Sequence, residues 1–449
     1  MNVTIIGTGY VGLTTGLSLG YLGHDVTCVD KNPSIVERLK RGEATIHEDG
    51  LEELLAVTPA RFQTDIPKLK GRGVVIIAVG TPTKGNGDAD LQFVDAAANE
   101  VAEQIQAGAE LVVVNKSTVP IGSARHVETI IRRVLERRRV EATVHVASNP
   151  EFLAEGKAIH DTFYPDRIVV GSDNPAAFNI LRELYQPLLD QTFDAPAGTP
   201  RPERYPLPPF ITTTTTSAEL TKYAANSFLA TKISFINEFA RLAERVDADI
   251  TEVARAIGLD TRIGSRFLQA GIGWGGSCFG KDTRAIVSTA ADYDYELQIV
   301  KKAIEVNERQ RLHVVDRLQE KLKVLRGRTI GLLGLAFKAN TDDLRDAPAL
   351  TLVELLTERG AVVRVHDPVA MPNAREHYPD LPVEYADSAV DLARGCDAVV
   401  VVTDWEEYRR LPLAQMRQSM RGSVLMDARN LLHEADAVKA GFDYVGVGR

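Results

Sequence analysis

Asn2-Val-Thr-Ile-Ile-Gly7-Thr-Gly9-Tyr10-Val11-Gly12 opens the chain, and an acid, Asp30, closes the next apolar run. The spacing is G-x-G-x-x-G. On its own that pattern is weak. Here it follows a strand-like run, Asn2–Ile6, opens an amphipathic helix, Tyr10–Leu22, and precedes a second strand, Asp25–Asp30. That context is what a dinucleotide cradle requires. The glycines let the backbone turn tightly against a pyrophosphate, whose charge is received by the helix N-terminus. A carboxylate at Asp30 accepts hydrogen bonds from a ribose and repels a 2′-phosphate, so NAD is favoured over NADP; Lys31 works slightly against that preference.

Working outward, Val74–Val79, Leu111–Asn115 and Val144–Ala147 continue the series of short Val/Ile runs with helical patterns between them. Buried parallel strands read this way, and a doubly wound sheet is expected over about residues 1–190. Asp194–Pro209 carries six prolines and few apolar anchors, the mark of a loop or linker. Thr216-Ser-Ala-Glu219 has the form of a capping box, and neither Pro nor Gly interrupts the chain from there to Arg245. A helix of about 28 residues is about 40 Å long, which suits a spine between domains or a dimer interface. Ile250–Ile257 reads as a short helix ended by Gly258. A second α/β series follows: strand Arg328–Leu333, helix Ala349–Glu358, strand Ala361–His366, then strands Ala398–Val402 and Ser423–Met426. The expected fold class is α/β, with two Rossmann-like doubly wound sheets joined by a long central helix. The expected division is 1–193 for the cofactor, 194–216 as linker loop, 217–312 as central helical and dimerisation part, and 313–449 as the substrate-nucleotide part.

The chain has 449 residues, enough for two or three domains. Its 44% apolar and 25% charged residues are those of an ordinary globular protein, so disorder and coiled coil are excluded. With 52 Lys+Arg against 61 Asp+Glu, the net charge of −9 argues against a nucleic-acid-binding surface. The apolar start lacks a basic segment and is broken by glycines, so a signal peptide is not expected. No apolar run reaches the roughly 18–20 residues that span a bilayer. Cys28, Cys278 and Cys396 form no C-x-x-C pair, which argues against a zinc site or a disulfide framework and for a reduced, cytoplasmic setting.

A second candidate site is Gly271-Ile-Gly-Trp-Gly-Gly-Ser-Cys278-Phe-Gly-Lys281-Asp282, with five glycines in ten residues. So many glycines cost entropy and make sense where backbone approaches a ligand closely. A nearby lysine and a helix start favour a thiolate, which singles out Cys278 as a candidate nucleophile; Cys28 and Cys396 lie in or beside apolar runs and read as small buried hydrophobes. Lys222 and Asn226 are four apart and share one helix face. Glu151 and Glu155 follow a strand, where ligand sites of α/β sheets lie, as does Lys116-Ser-Thr118-Val-Pro120; plain turn and cap chemistry explains these spacings equally well.

Four stretches carry a resemblance: Gly275-Gly-Ser-Cys278-Phe-Gly-Lys-Asp282, Asn149-Pro-Glu-Phe-Leu-Ala-Glu155-Gly, Ser217-Ala-Glu-Leu-Thr-Lys222-Tyr-Ala-Ala-Asn226 and Phe337-Lys-Ala-Asn-Thr-Asp-Asp-Leu-Arg345. In this order and spacing the chain resembles the nucleotide-sugar dehydrogenases of the UDP-glucose/GDP-mannose dehydrogenase family, from Asn2 to about Leu431. The resemblance implies oxidation of UDP-glucose at C6 to UDP-glucuronate with two NAD, through a cysteine thiohemiacetal and thioester. GDP-mannose or a UDP-N-acetylhexosamine is the alternative substrate. It also implies a homodimer, with no nucleic-acid or membrane partner and no metal.

The same resemblance implies the site residues. Cys278 would be the nucleophile, with Lys222, Asn226, Thr118, Glu151 and Asp282 around the sugar C6 and the water. Gly7, Gly9, Tyr10, Val11, Gly12, Asp30, Thr83, Thr118, Glu155, Lys281 and Arg345 would hold the cofactor. Glu151, Phe152, Leu153, Ala154, Glu155, Lys222, Asn226, Phe267, Leu268, Gln269, Ala270, Gly271, Gly275 and Lys338 would hold the nucleotide sugar, with Arg262 reaching it from a partner subunit. The chain departs from the family pattern at Trp274, Gly280 and Ile35 and in the length of 194–209. A two-electron hydroxyacid dehydrogenase and a nucleotide-sugar sensor without turnover are the competing readings.

Overall fold

The computed structural model describes residues 1–85 and 87–449. Two compact units emerge: Met1–Ala225 with Arg284–Tyr293, and Asn226–Thr283 with Asp294–Arg449.

The first unit is built on an eight-stranded sheet: β1 Asn2–Ile6, β2 Asp25–Val29, β3 Ala60–Gln63, β4 Arg72–Ile77, β5 Glu110–Asn115, β6 Thr143–Ser148, β7 Ile168–Ser172 and β8 Phe210–Thr213. The strand order is β3-β2-β1-β4-β5-β6-β7-β8, parallel throughout except for the short antiparallel β6–β7 pairing. The first six positions are the order of a dinucleotide-binding sheet, and β1 and β4 flank the point where it reverses. The period of two explains the layering. Ile76 faces one core, with Ile5, Leu17 and Val112, while Val75 and Ile77 face the other, with Val101, Val113 and Ile131. Both faces being covered, the strands need continuous Val/Ile runs rather than alternation.

In the proline-rich stretch, Tyr205 donates to the Pro165 carbonyl at 2.5 Å and Arg201 to the Gln191 carbonyl at 2.7 Å. Phe210–Thr213, which follows it, pairs in parallel with β7 and extends the sheet: the start of the Thr212–Thr216 run is extended, as its sequence suggests, but part of the expected 194–216 linker is a strand. Thr212 and Thr213 thus serve a strand, which suits their β-branched side chains.

The long helix spans Thr215–Val246, 32 residues and about 48 Å. It is not closed by the expected capping box. Thr214 Oγ1 accepts from the Ser217 N–H instead, and Glu219 turns away to serve another helix, as described below.

The second unit has a six-stranded parallel sheet: β9 Thr329–Leu333, β10 Val362–His366, β11 Val383–Tyr385, β12 Ala398–Val401, β13 Val424–Asp427 and β14 Asp443–Gly446. Its order, β11-β10-β9-β12-β13-β14, repeats the winding of the first six strands of the other sheet. Helix Gln298–Leu322 is continuous and buries Val314, Val315 and Leu318 in the same core as Ile236, Ala240 and Ile250.

Candidate active site

The glycine cradle lies where β1 ends. Gly7 has φ +93°, and a Cβ there would sit 2.7 Å from the Ala78 carbonyl oxygen; one on Gly12 would sit 1.9 Å from the Gly7 oxygen. Both glycines are demanded by the turn itself. At Gly9 nothing lies within 4 Å of the Cβ position, so this is the open side where a phosphate can approach. Helix Tyr10–Tyr21 has no side-chain cap at Gly9, which leaves its positive end for an anion. Asp30 is held by Thr8, whose N–H and hydroxyl donate to Oδ2 at 3.0 and 2.6 Å, and by the Asn32 N–H on Oδ1. This geometry fits a dinucleotide pyrophosphate and its ribose. Of the other expected cofactor residues in this unit, Thr83 is exposed in the loop after β4 and Val11 packs partly on the core. Thr118 is half-buried after β5, its carbonyl accepting from Thr81 Oγ1 at 2.9 Å.

A second cluster of the same unit lies at the ends of β5 and β6. Lys222 Nζ donates to Glu151 Oε1 at 2.7 Å with both side chains buried, and Glu151 Oε2 accepts the Leu153 N–H at 2.6 Å. Burial pushes the Glu151 carboxyl up, but the charge and hydrogen bond of Lys222, the Leu153 N–H and the charge of Lys116 outweigh it, so the group stays below the ordinary carboxylate range. The Phe152 ring lies under the Arg167 guanidinium at 3.7 Å and 5.6 Å from Lys222 Nζ. The turn through Leu153, Ala154 and Glu155 is tied down by Asp161, which accepts the Ala154 N–H, and by Glu48, which accepts the N–H groups of Gly156 and Ala158.

Three members of this cluster escape the sequence reading. Buried Lys116 donates to Asn149 Oδ1 at 3.1 Å, and the same oxygen accepts from Tyr185 at 2.6 Å. Burial pulls the Lys116 ammonium down to about 8, with Glu151 opposing and Lys222 adding to the shift. Glu219 accepts the N–H groups of Gly122 and Ala124 at 2.6 and 2.9 Å, capping helix Ser123–Arg138, and also the Ser148 hydroxyl at 2.9 Å. The only signal for Lys116 and Asn149 was their place directly after strands; Glu219 gave only a local capping pattern, because its actual target is 97 residues away in the chain.

In the second unit, Cys278 is half-buried at the start of helix Phe279–Ala291, and its carbonyl accepts the Asp282 N–H at 2.8 Å. The Ser277 hydroxyl lies 3.5 Å from its sulfur. Asp282 is fully buried; its Oδ2 accepts from Asn226 Nδ2 at 2.7 Å, and its other oxygen pairs with Lys281. Cys278, Asn226, Lys281 and Asp282 therefore form one connected group.

The glycine loop before Cys278 is close-packed against the protein's own backbone and side chains. A Cβ on Gly271 would lie 2.6 Å from the Ala428 carbonyl oxygen, one on Gly275 2.2 Å from that of Asp346, and one on Gly276 2.6 Å from the Phe337 ring. The reading that these glycines serve close approach to a ligand is corrected to that extent. Asn307 accepts the Trp274 N–H at 2.8 Å and donates to the Trp274 carbonyl at 2.9 Å, Gln310 donates to Gly271, and Asn237 accepts the Gly271 N–H. Arg311 also donates to the Trp274 carbonyl, and Arg429 bridges the carbonyls of Gly273, Phe337 and Val402. Trp274, read as a departure, is buried, and its indole N–H donates to Ser234 at 3.0 Å.

Among the remaining expected residues, Phe267 has φ +65° and its ring lies 6.4 Å from that of Phe279. Leu268 and Ala270 are buried in the core, whereas Gln269 is exposed. Lys338 Nζ lies 5.5 Å from the Phe337 ring centroid. Arg345 is held on Asp343 by paired bonds of 2.8 Å. Arg262, with 87% of its side chain exposed, pairs with its neighbour Asp260.

Residues 1–189 match the family model described as the NAD binding domain of the UDP-glucose/GDP-mannose dehydrogenase family, 216–309 its central domain, and 331–434 its UDP binding domain. The chain is 42% identical to a UDP-glucose 6-dehydrogenase of Bacillus subtilis, covering 100% of this chain and 98% of that one. It is 43% identical to a UDP-glucose 6-dehydrogenase of Rhizobium meliloti, covering 100% of both. Among solved structures, a UDP-glucose dehydrogenase from Pyrobaculum islandicum superposes with TM-score 0.85 at 38% identity, over 100% of this chain and 97% of that one. A UDP-D-ManNAc dehydrogenase from Pyrococcus horikoshii does so with TM-score 0.83 at 27% identity, over 100% and 99%. With its cradle fitted to NAD and all three family parts present in order, the chain belongs to the UDP-glucose/GDP-mannose dehydrogenase family of NAD-binding dehydrogenases.

Proposed function

We propose that the chain oxidises UDP-glucose at C6 to UDP-glucuronate, with Cys278 as the nucleophile. One observation carries the nucleophile: the cysteine sits at the start of a helix, after a loop gripped from several sides, and its carbonyl accepts the N–H of Asp282, whose carboxylate is bonded to Asn226. Identities of 42–43% to UDP-glucose 6-dehydrogenases over the full length, against 27% to the UDP-D-ManNAc enzyme, favour glucose over the sister substrates.

NAD, held by the Gly7–Gly12 cradle and Asp30, would supply the acceptor for the two hydrides lost at C6. The protein's own part is to capture, orient and hydrolyse. Cys278 Sγ adds to the aldehyde carbon, so that the reactive carbonyl is not released. Lys222 and Asn226 donate to the oxygen at C6, where negative charge develops in each tetrahedral species. Glu151, held below the ordinary carboxylate range, is the acceptor that fixes Lys222 Nζ for that task. Water then attacks the thioester carbon; Thr118 orients it, Asp282 or Glu151 accepts its proton, and the thiolate leaves. Per alcohol and water consumed, two hydrides and three protons are released with the carboxylate.

On this reading the nucleotide sugar is held by residues 151–155, 267–271, Gly275 and Lys338, and the cofactor by the cradle with Thr83, Thr118, Glu155, Lys281 and Arg345. The division 1–193, 194–216, 217–312 and 313–449 assigns cofactor, linker, central and substrate-nucleotide roles, in line with the three matched ranges. We also read the enzyme as a homodimer in which Arg262 reaches the partner's sugar. Its exposed, solvent-facing position supports that role. A cytoplasmic setting is supported by the buried thiols of Cys28 and Cys396. Among the described residues, no helix is long and apolar enough to cross a membrane.

The deciding measurement is NADH formed per UDP-glucose consumed, together with a panel of nucleotide sugars. Two NADH per sugar, with UDP-glucose the best substrate, is the expected result. One per sugar marks a simple alcohol dehydrogenase, none marks a binder, and preference for another sugar moves the enzyme to a sister activity.

A further inference from the structure

Glu219 is a buried carboxylate, 3% exposed, bonded to two other elements of the first unit. It accepts the N–H groups of Gly122 and Ala124 at the start of helix Ser123–Arg138, at 2.6 and 2.9 Å, and the hydroxyl of Ser148, the last residue of β6, at 2.9 Å. Burying a carboxylate is costly. Burial pushes this one above its ordinary value, against the pull of the three donors. Capping a helix does not by itself call for such a group. A Ser, Thr, Asn or Asp at the cap position does that work locally, yet Gly122 stands there and the carboxylate comes from 97 residues away. A cap delivered from that distance joins two elements as well as ending one.

Lys222 lies three residues after Glu219, so the two share one face of the long helix. Glu151 likewise lies three residues after Ser148. Glu219–Ser148 and Lys222–Glu151, at 2.9 and 2.7 Å, are therefore two rungs between the same two stretches of chain, running in the same direction. Fixing the first rung fixes the register at which the second forms. The bonds to Gly122 and Ala124 tie the end of the segment after β5, which carries Thr118, to the same point.

We propose that Glu219 is a positioning residue for the reaction: its carboxylate sets the register of the long helix against the segment after β6, so that Lys222 meets Glu151 and stands where charge develops on the oxygen at C6. The proposal rests on the reading above that Lys222 serves that oxygen.

Two variants of the full enzyme test it. Glu219→Gln keeps the shape but offers one acceptor oxygen where two backbone N–H groups each need one. It should lower kcat about tenfold, because a displacement of about 1 Å at a reacting group costs up to about a hundredfold and part of the grip remains. KM for NAD should stay within about twofold, the glycine cradle being untouched. Ser148→Ala removes the first rung and leaves the helix cap in place, and should lower kcat about fivefold. Both losses should vanish in a Lys222→Ala background, since a lysine that is absent cannot be misplaced; a loss caused by general loosening would persist there. If Glu219→Gln fails to fold, Ser148→Ala carries the same comparison alone. Unchanged kcat in Ser148→Ala overturns the proposal, as does a loss that persists without Lys222. Full activity of Lys222→Ala itself would instead overturn the reading that this lysine serves the oxygen at C6, and the positioning role of Glu219 with it.

Discussion

Two cysteines of this chain are inert for a physical reason. Cys28 and Cys396 are wholly buried, and loss of solvation pushes their thiols up to about 12 and about 11, where the nucleophilic thiolate is scarce. Cys28→Ala and Cys396→Ala should cost about 1 kcal/mol of stability and leave turnover intact. Cys278→Ala should stop formation of the acid, and Cys278→Ser should hold sugar as a slowly hydrolysed oxygen ester visible by intact mass. Near-normal UDP-glucuronate production by Cys278→Ala would refute covalent capture. Lys116 makes a different residue-scale claim. Its folded-state value of about 8 lies below the ordinary 10.5, so between those values the unfolded chain holds the extra proton. Burying the charge destabilises the fold fully below about pH 8, and that penalty fades as pH rises toward 10.5. Urea midpoints of the parent relative to Lys116→Met should therefore climb between pH 7 and pH 10. A constant difference would mean that the ammonium is not held against its solvation.

At the scale of elements, the glycine loop is shaped by helix Gln298–Leu322, which presents Asn307, Gln310 and Arg311 to its backbone. Asn307→Ala leaves the buried Trp274 N–H without its acceptor, a loss of about 1–3 kcal/mol. Denaturation should show that loss, and kcat should fall because the loop carries Cys278. Asn307→Asp keeps the acceptor oxygen and should recover much of both. A fully active, fully stable Asn307→Ala would show that the loop holds its shape unaided. This helix also marks where the sequence was silent. Strands with continuous Val/Ile runs and the cradle from Gly7 to Asp30 were legible because their patterns are local. The Thr215–Val246 helix was legible because nothing interrupts it. The grip on the glycine loop was not, since a buried Asn on a helix looks the same in sequence whether it faces water or a backbone 33 residues away. Glu219 shows the same limit: a local capping pattern was present, and a long-range use won.

For the molecule as a whole, the two sheets share a winding order but not a use. Asp367 follows β10 as Asp30 follows β2, yet it is fully buried, taking the N–H groups of Leu335, Ala336, Val369 and Ala370 and the Trp405 indole. Nothing remains of it for a ribose, so the repeated architecture carries one NAD cradle, not two. The assembly is argued from the long helix. Phe228, Phe235, Phe239, Leu242 and Val246 recur at seven-, four-, three- and four-residue intervals along one face, each at least 43% exposed. Its other side buries Tyr223, Ala230, Ile236, Ala240 and Ala243. A solvated face of an ordinary helix is polar, and an apolar row of this length against water is what a self-complementary twofold contact would cover. On the proposed homodimer, Phe228→Glu with Phe239→Glu should leave only monomer in sedimentation, because charges would face their own copies across a twofold through this face. If Arg262 completes the partner's site, activity should fall with the monomer fraction and recover as protein concentration drives reassociation. A monomeric variant with full activity at every concentration would separate the interface from catalysis and return Arg262 to the solvent.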